Sequence, residues 1–161
     1  SLEDQDRTLW DEALMQEGRV LIEKALRHGR PGSLQVQAAV AAVHCAAKRA
    51  TDTNWAEIAR LYVALEALAP SPVVQLNRAV AVSKVEGPEA ALNLLAPLAE
   101  DLQRYRPYHA VRAALLEETG AAKAAIVALE AALGCSPTSL EADYLTGRIM
   151  LLRKKLAPPI A

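Results

Sequence analysis

The sequence predicts an all-α domain of antiparallel helix hairpins, stacked as a short right-handed solenoid of about eight helices. Three observations support this prediction. Pro and Gly lie almost entirely between stretches of helical periodicity, where they begin and end helices at least cost. Ala and Leu dominate the 161 residues, aromatic residues make up 4% and Phe is absent, so helix axes can approach closely. Small and apolar residues also recur at a fixed long spacing.

The first two helices are predicted from apolar periodicity and from the residues around it. Apolar residues near the helical period predict a first helix over about 6–28, which Gly29 closes. Ser33 is expected to cap a second helix. That helix ends in the polar stretch that begins at Thr51.

The third and fourth helices have clear start signals. Asn54 followed by Glu57 is a capping-box pattern for the third helix, which Pro70 stops. Ser71 followed by Pro72 is an N-cap with proline at the first helical position, which predicts the start of the fourth.

Glycine and proline also divide the rest of the chain. Gly87 closes the fourth helix and Pro88 opens the fifth. Pro97 falls inside an otherwise helical stretch, so the fifth helix is expected to kink or end early there. Pro107 begins the sixth helix and Gly120 separates it from the seventh.

The last part of the chain is predicted to hold one more helix. Gly134 and Pro137 end the seventh helix. An eighth is expected over about 139–155, followed by a frayed tail at 157–161.

The long spacing indicates the kind of hairpin. Six residues are matched thirty-four positions later by residues of the same or a similar kind. The pairs are Arg78 and Arg112, Ala79 and Ala113, Val82 and Leu116, Ala91 and Ala125, Leu95 and Leu129, and Leu98 and Ala132. Thirty-four is the period of the tetratricopeptide repeat, whose helices cross closely where its residues are small. We therefore predict tetratricopeptide-like units, with a plain helical bundle of coincidental spacing as the alternative.

This repeat predicts how the domain is organised. Residues 1–33 form an N-terminal capping helix, and residues 138–161 form a C-terminal capping helix and tail. Between them, 34–137 holds hairpins of about 34–70, 71–104 and 105–137, because stacked hairpins bury their faces only against neighbours.

Charge and cysteine usage exclude some classes of partner. The net charge of −1 offers no general attraction for phosphates, so no direct nucleic acid contact is expected from this chain. No apolar run is long enough to span a bilayer, and no membrane partner is expected. Cys45 and Cys135 form no disulfide framework, which favours the reducing cytoplasm.

The sequence contains no catalytic motif and no metal-ligand motif, so we expect no enzyme activity, catalytic residue, metal or cofactor. His44 beside Cys45 is a poor ligand pair, because adjacent helical residues point about 100° apart. The competing hypothesis is a hydrolase or transferase in a helical groove, which would need His109, Arg112 and Glu117 within hydrogen-bond reach of one another.

Seven residues are candidates for binding a protein partner. They are Trp10, Asn77, Arg78, Val80, His109, Arg112 and Ala114. Arg78 and Arg112 occupy equivalent repeat positions where the tetratricopeptide pattern prefers Leu. They either bind carboxylates or helix ends within the stack, which we favour, or form a polar ladder for a partner.

The concave face of the repeats is expected to be apolar. It would be lined by first-helix residues of the hairpins, Leu76, Val80, Ala110 and Ala114. Such a groove suits a hydrophobic segment or a neighbouring domain better than a C-terminal carboxylate.

Several runs of residues resemble one family. They are EDQDRTLWDEALMQEG (3–18), LQVQAAVAAVHCAA (34–47), DTNWAEIARLYVAL (52–65), PSPVVQLNRAVAVS (70–83) and YHAVRAALL (108–116). Together they resemble sigma factors of RNA polymerase of the extracytoplasmic-function type that carry a long C-terminal extension with tetratricopeptide-like repeats. The resemblance covers nearly the whole chain. Pro97 and the apolar 146–152 depart from the family pattern.

The resemblance implies a role in regulating transcription. Members of this family bind core polymerase and promoter DNA through two N-terminal domains, which this chain lacks. The chain is then expected to contact upstream sigma-factor domains, RNA polymerase or a protein regulator. A free-standing tetratricopeptide-like scaffold unrelated to transcription is the alternative.

Overall fold

A computed structural model describes residues 5–27 and 29–157 of the chain, with the backbone alone described at Leu26. Over these residues the chain forms helices and connecting turns, without a β-strand. The α-helices are α1 Glu12–Leu26, α2 Ser33–Ala46, α3 Trp55–Leu68, α4 Pro72–Glu86, α5 Pro88–Leu95, α6 Arg106–Glu118, α7 Ala122–Leu133 and α8 Ser139–Leu156. The predicted all-α class and the predicted number of helices are confirmed. The expected end of the first helix at His28 and the tail at 158–161 lie outside the described residues.

The chain divides into two compact units, Ser1–Ala81 and Val82–Ala161, with the division inside α4. In the first unit, α1 packs on α2 and α2 packs on α3. In the second, α5 packs on α6, α6 on α7 and α7 on α8. Of these pairs, α2 with α3 and α6 with α7 are predicted hairpins, and the other pairs join a predicted hairpin to its neighbour or to a capping helix.

The first helix is shorter than predicted. A 3₁₀ turn, Arg7–Leu9, precedes it, and the backbone N–H of Thr8 donates to the Asp6 carboxylate. Asp11 then caps α1, since its Oδ1 accepts from the N–H of Leu14 at 3.0 Å. Two aspartates five residues apart therefore begin two separate turns, where the apolar spacing alone predicted one continuous helix.

The start of the second helix also differs from the prediction. Ser33 is the first helical residue, and Gly32 occupies the N-cap position. The Gln35 side chain accepts from the N–H of Gly32 at 3.1 Å, so a side chain inside the helix satisfies the cap. By contrast, Asn54 is the predicted cap of α3, since its Oδ1 accepts from the N–H of Glu57 at 3.1 Å.

Pro97 has the predicted effect on the fifth helix. Helix α5 ends at Leu95 and continues only as a 3₁₀ turn, Ala96–Leu98. Because proline has no N–H and clashes with the preceding turn, the α-helix cannot pass through it. Gly87 and Gly120, the predicted separators, have φ of 95° and 76°, a left-handed conformation that glycine adopts without strain.

The small residues of the repeat are fully buried. Ala79, Ala91, Ala113 and Ala125 are all 0% exposed. In the second unit, Ala113 and Ala125 belong to a core cluster with Leu129, Leu145 and Ile149, residues of α6, α7 and α8. At Ala113 and Ala125 the predicted packing of helices on small residues is confirmed.

Candidate functional site

The first unit contains a groove of about 410 Å³ bordered by α2, α3 and α4. Residues that line it include Gln37, Tyr62, Leu65, Val73, Val74 and Asn77. Asn77 is exposed, so its amide can donate to and accept from a ligand. Burial raises the pKa of Tyr62, which keeps its hydroxyl protonated at the groove wall. The groove therefore presents polar and apolar side chains in about equal measure.

Arg78 directly follows the groove residue Asn77 in the sequence, and its side chain binds partners within the first unit. Its Nη1 donates to Oε2 of Glu66 at 2.8 Å, and the Gln75 amide donates to the other carboxylate oxygen at 2.8 Å. Both side chains of the ion pair are largely buried, with 32% of Arg78 and 23% of Glu66 exposed. This arrangement ties α4 to α3. It supports the interpretation that Arg78 binds a carboxylate inside the fold.

The predicted apolar groove lining is wrong at Leu76, which is only 2% exposed. Leu76 precedes Ala79 by three residues and therefore lies on the same buried face of α4. Val80 and Ala110 are half-buried, and Ala114 is exposed on α6. Leu76 thus belongs to the core, and the next residue, Asn77, borders the groove instead.

Arg112 differs from Arg78 although it occupies the equivalent repeat position. It is half-buried on α6, and it makes no ion pair with any residue that the structure describes. Glu100 is thirty-four residues after Glu66, but it lies in the turn that follows the 3₁₀ segment at Pro97. The early end of α5 therefore leaves Glu100 outside a helix, whereas Glu66 lies within α3.

His109 is occupied by contacts within the second unit. Its Nε2 lies 2.8 Å from the carbonyl oxygen of Gln103, and its ring meets the Tyr108 ring edge to face at 5.2 Å. Glu117 is paired with Arg148 of α8. Two members of the constellation required for a hydrolase or transferase thus bind other neighbours.

Trp10 lies at a different place in the first unit, beside an open cleft of about 1030 Å³. The Arg7 guanidinium stacks on its ring at 4.9 Å from the centroid. Nη1 of Arg7 also donates to the carbonyl oxygens of His44 and Ala47 at the end of α2. A cation at a helix C-terminus is favoured by the helix dipole, so Trp10 helps to hold a helix end.

His44 is partly enclosed next to this contact. Burial lowers the pKa of His44, and the nearby Arg7 charge lowers it further. Its ring packs edge to face on Trp55 at 5.3 Å. Cys45 is a free, half-buried thiol.

Neither a metal site nor a membrane span is found over residues 5–27 and 29–157. No group of three or more His, Cys, Asp or Glu side chains in this part of the chain is placed to hold a metal ion. None of the helices in it is both long enough and apolar enough to cross a bilayer.

Three ion pairs that could not be predicted from the sequence hold α8 to α6 and α7. Arg106 pairs with Glu141, Glu117 with Arg148, and Glu130 with Arg153. Partners so far apart in sequence give no local signal. A local signal was present at the start of α8, where Thr138 and Glu141 form a capping box. Hydrogen bonds from the backbone and side chain of Thr138 hold the pKa of Glu141 below its ordinary value.

Comparisons with known proteins give an uncharacterized relative of the chain. The chain is 52% identical, over 144 residues, to an uncharacterized protein of Rhizobium meliloti (strain 1021). No protein-family model matches the chain, and no solved structure matches it. The matched region covers 89% of this chain but 34% of the relative. The chain therefore spans about a third of the length of the curated relative that it resembles.

Proposed function

We propose that this chain is a non-catalytic protein-interaction domain that regulates an RNA polymerase sigma factor in the cytoplasm. Its partner is a segment of the sigma factor's promoter-binding domains, of RNA polymerase or of a protein regulator. The transcription role rests on the resemblance of the runs at 52–65 and 70–83 to sigma factors with repeat-containing extensions.

The groove beside Asn77 is the observation that carries the interaction role. It offers apolar side chains, of which Val73 is 38% exposed, together with the Asn77 amide. Apolar side chains of a peptide would pack on these apolar side chains, while Asn77 would hydrogen-bond to the peptide backbone. Arg78, the residue after Asn77, holds α4 to α3 through Glu66.

The length of the relative supports a role within a larger polypeptide. A region similar to this chain makes up 34% of that protein. A regulatory extension needs further domains on which to act. A free-standing scaffold needs none.

A binding experiment tests the proposal. The immobilised chain is offered purified promoter-binding domains of a sigma factor of the resembled class, and separately core RNA polymerase. We expect one of them to be retained, and Val73→Glu or Asn77→Ala to weaken retention. Leu68→Glu is the matched control, because Leu68 is 51% exposed on α3 and is not among the groove residues. Retention of neither protein would rule out direct contact with the promoter-binding domains and with core polymerase.

The reading frame upstream of Ser1 separates the proposal from a free-standing scaffold. We expect it to encode promoter-binding helices in continuous frame. A native start codon at this point would support the scaffold instead.

A further inference from the structure

We infer that the cleft beside Trp10 binds a small organic anion, whose carboxylate or phosphate group pairs with Arg19 and Lys48. The cleft has a volume of about 1030 Å³ and lies in the first unit. This inference goes beyond the sigma-factor proposal, because that proposal rests on the groove at Asn77 and on a protein partner.

The cleft is bordered by one face of α1 and by the end of α2. Met15, Gln16 and Arg19 lie in its lining at helical spacing, so they share a face of α1. Residues 45–50, where α2 ends and the next turn begins, also line it. Trp10 and the 3₁₀ turn before α1 complete the lining. Two elements that pack on each other therefore present side chains to one space.

Positive charge is concentrated in this lining, although the whole chain has a net charge of −1. The charged residues of the lining are four cations and two carboxylates, namely Arg7, Arg19, Lys48, Arg49, Asp6 and Glu12. A cleft with an excess of one charge sign concentrates the electrostatic potential and attracts ligands of the opposite sign. The local charge therefore favours an anion.

Two of the four cations are already bound within the fold. Arg7 donates to carbonyl oxygens at the end of α2. Arg49 makes two hydrogen bonds of 3.0 Å to the carboxylate of Asp52. Arg19 and Lys48, by contrast, form no ion pair with any residue that the structure describes. These two side chains therefore keep their charge for a ligand.

The two carboxylates of the cleft do not neutralise these cations. Hydrogen bonds from the side chain and backbone of Thr8 hold Asp6 and lower its pKa. Glu12 is the first residue of α1, where the helix dipole favours a carboxylate. Both carboxylates are exposed, so water and salt screen them.

Arg19 is the cation that most needs a partner. It is half-buried, and its Nε is enclosed without a hydrogen-bond acceptor. Removing a guanidinium from water costs free energy unless an anion or other acceptors replace the water. Its terminal Nη groups, unlike Nε, are not enclosed, and such a fork binds a carboxylate or a phosphate through two parallel hydrogen bonds.

The rest of the lining indicates an organic ligand. Trp10, Met15 and three alanines supply apolar surface, and polar and apolar surface are present in about equal measure. The volume is that of clefts that hold small molecules, roughly 300–1,000 Å³. An inorganic ion would contact the cations but would leave the apolar surface uncovered. We therefore expect an anion with an aromatic or aliphatic body.

Thermal unfolding with model anions tests the inference. The probes are phenyl phosphate, benzoate and inorganic phosphate, at an ionic strength held constant with NaCl. A ligand that binds only the folded state raises the unfolding temperature as its concentration rises. We expect such a rise with phenyl phosphate or with benzoate, and the effective probe identifies the anionic group. The absence of a rise with both would overturn the inference, and an equal rise with inorganic phosphate would overturn the organic class.

Variants locate the site by calorimetric titration of the effective probe. Arg19→Gln should weaken binding about tenfold, the effect of losing a hydrogen bond between charged groups. Arg27→Gln is the matched control, because Arg27 is exposed at the end of the same helix and outside the cleft lining. Equal affinities of the two variants would refute the assignment to Arg19.

Lys48→Gln keeps the test independent of any folding defect at the half-buried Arg19. Lys48 is exposed, so its substitution should leave the helical circular dichroism spectrum unchanged while it weakens binding of the probe. Lys24→Gln is its control, since Lys24 is an exposed residue of α1 outside the cleft lining. Binding that Lys48→Gln leaves at the wild-type affinity would overturn its place in the site.

Discussion

Glu66 accepts hydrogen bonds at both of its carboxylate oxygens from α4, and the 2.8 Å contact with Arg78 Nη1 joins two half-buried charges. We expect Glu66→Ala to lower the free energy of unfolding by about 1–2 kcal/mol, because Arg78 and Gln75 both lose their acceptor. Chemical denaturation measures the change. Glu100→Ala, at the equivalent repeat position but exposed in a turn, should stay within about 0.5 kcal/mol of wild type. Equal losses in the two variants would contradict this account of the pair.

Enlarging an alanine at a helix crossing should destabilise the second unit. Ala113 is 0% exposed and packs in the cluster with Leu129 and Leu145. We expect Ala113→Leu to cost about 1–3 kcal/mol, since the extra carbons must displace neighbouring helices. Thermal unfolding followed by circular dichroism checks this. The neighbouring Ala114→Leu, at an exposed position, serves as the control and should leave the unfolding temperature nearly unchanged.

Stability should depend on pH through His44. Because burial and Arg7 lower the pKa of His44 from its ordinary 6.5, the unfolded chain binds a proton at this residue before the folded chain does. The contribution of neutral His44 is therefore present above pH 6.5 and is lost as the pH falls through the lower folded pKa. We expect His44→Gln to reduce the loss of thermal stability between pH 7 and pH 5, relative to wild type.

His109→Gln is the control for this effect. His109 lies in the other unit, with its ring nitrogen on the Gln103 carbonyl. If both substitutions changed the pH profile alike, the assignment to His44 would be wrong.

The N-cap of α8 offers a fourth prediction. Thr138 Oγ1 donates to Glu141 at 2.8 Å, and the N–H of Thr138 donates to the same carboxylate oxygen at 2.9 Å. We expect Thr138→Ala to lower the free energy of unfolding by about 1 kcal/mol, the typical value of a lost cap. Denaturation with urea measures it. Ser139→Ala, one residue later and without a capping role, should have almost no effect.

The helices could be predicted because their signals are local. Pro88, Gly120 and Asn54 act within one turn of the helix that they begin or end, so reading the sequence is enough. The predicted first helix is too long because two local start signals, Asp6 and Asp11, lie close together in the sequence. The competition between Asp6 and Asp11 as caps depends on which turn forms, and apolar periodicity does not encode that choice.

The candidate site was predicted less well than the fold. Asn77 lies at the groove, but Leu76 was expected beside it and is buried, because a shift of one residue turns a helical side chain by about 100°. Arg78 and Arg112 make different contacts because Glu66 lies in a helix and Glu100 lies in a turn, a difference that the equal sequence spacing does not show. Trp10 binds Arg7, a pairing that depends on the 3₁₀ turn between them.

The buried alanines of the repeat have a consequence for how this fold can change. Alanine has no side-chain rotamers to restrict, so burying Ala79, Ala91 or Ala125 costs almost no conformational entropy. Because these positions are fully buried, an added methyl group there would have to displace neighbouring atoms. Sequence drift should therefore concentrate on the outer helix faces, where a new binding specificity can arise without disturbing the spacing of the helices.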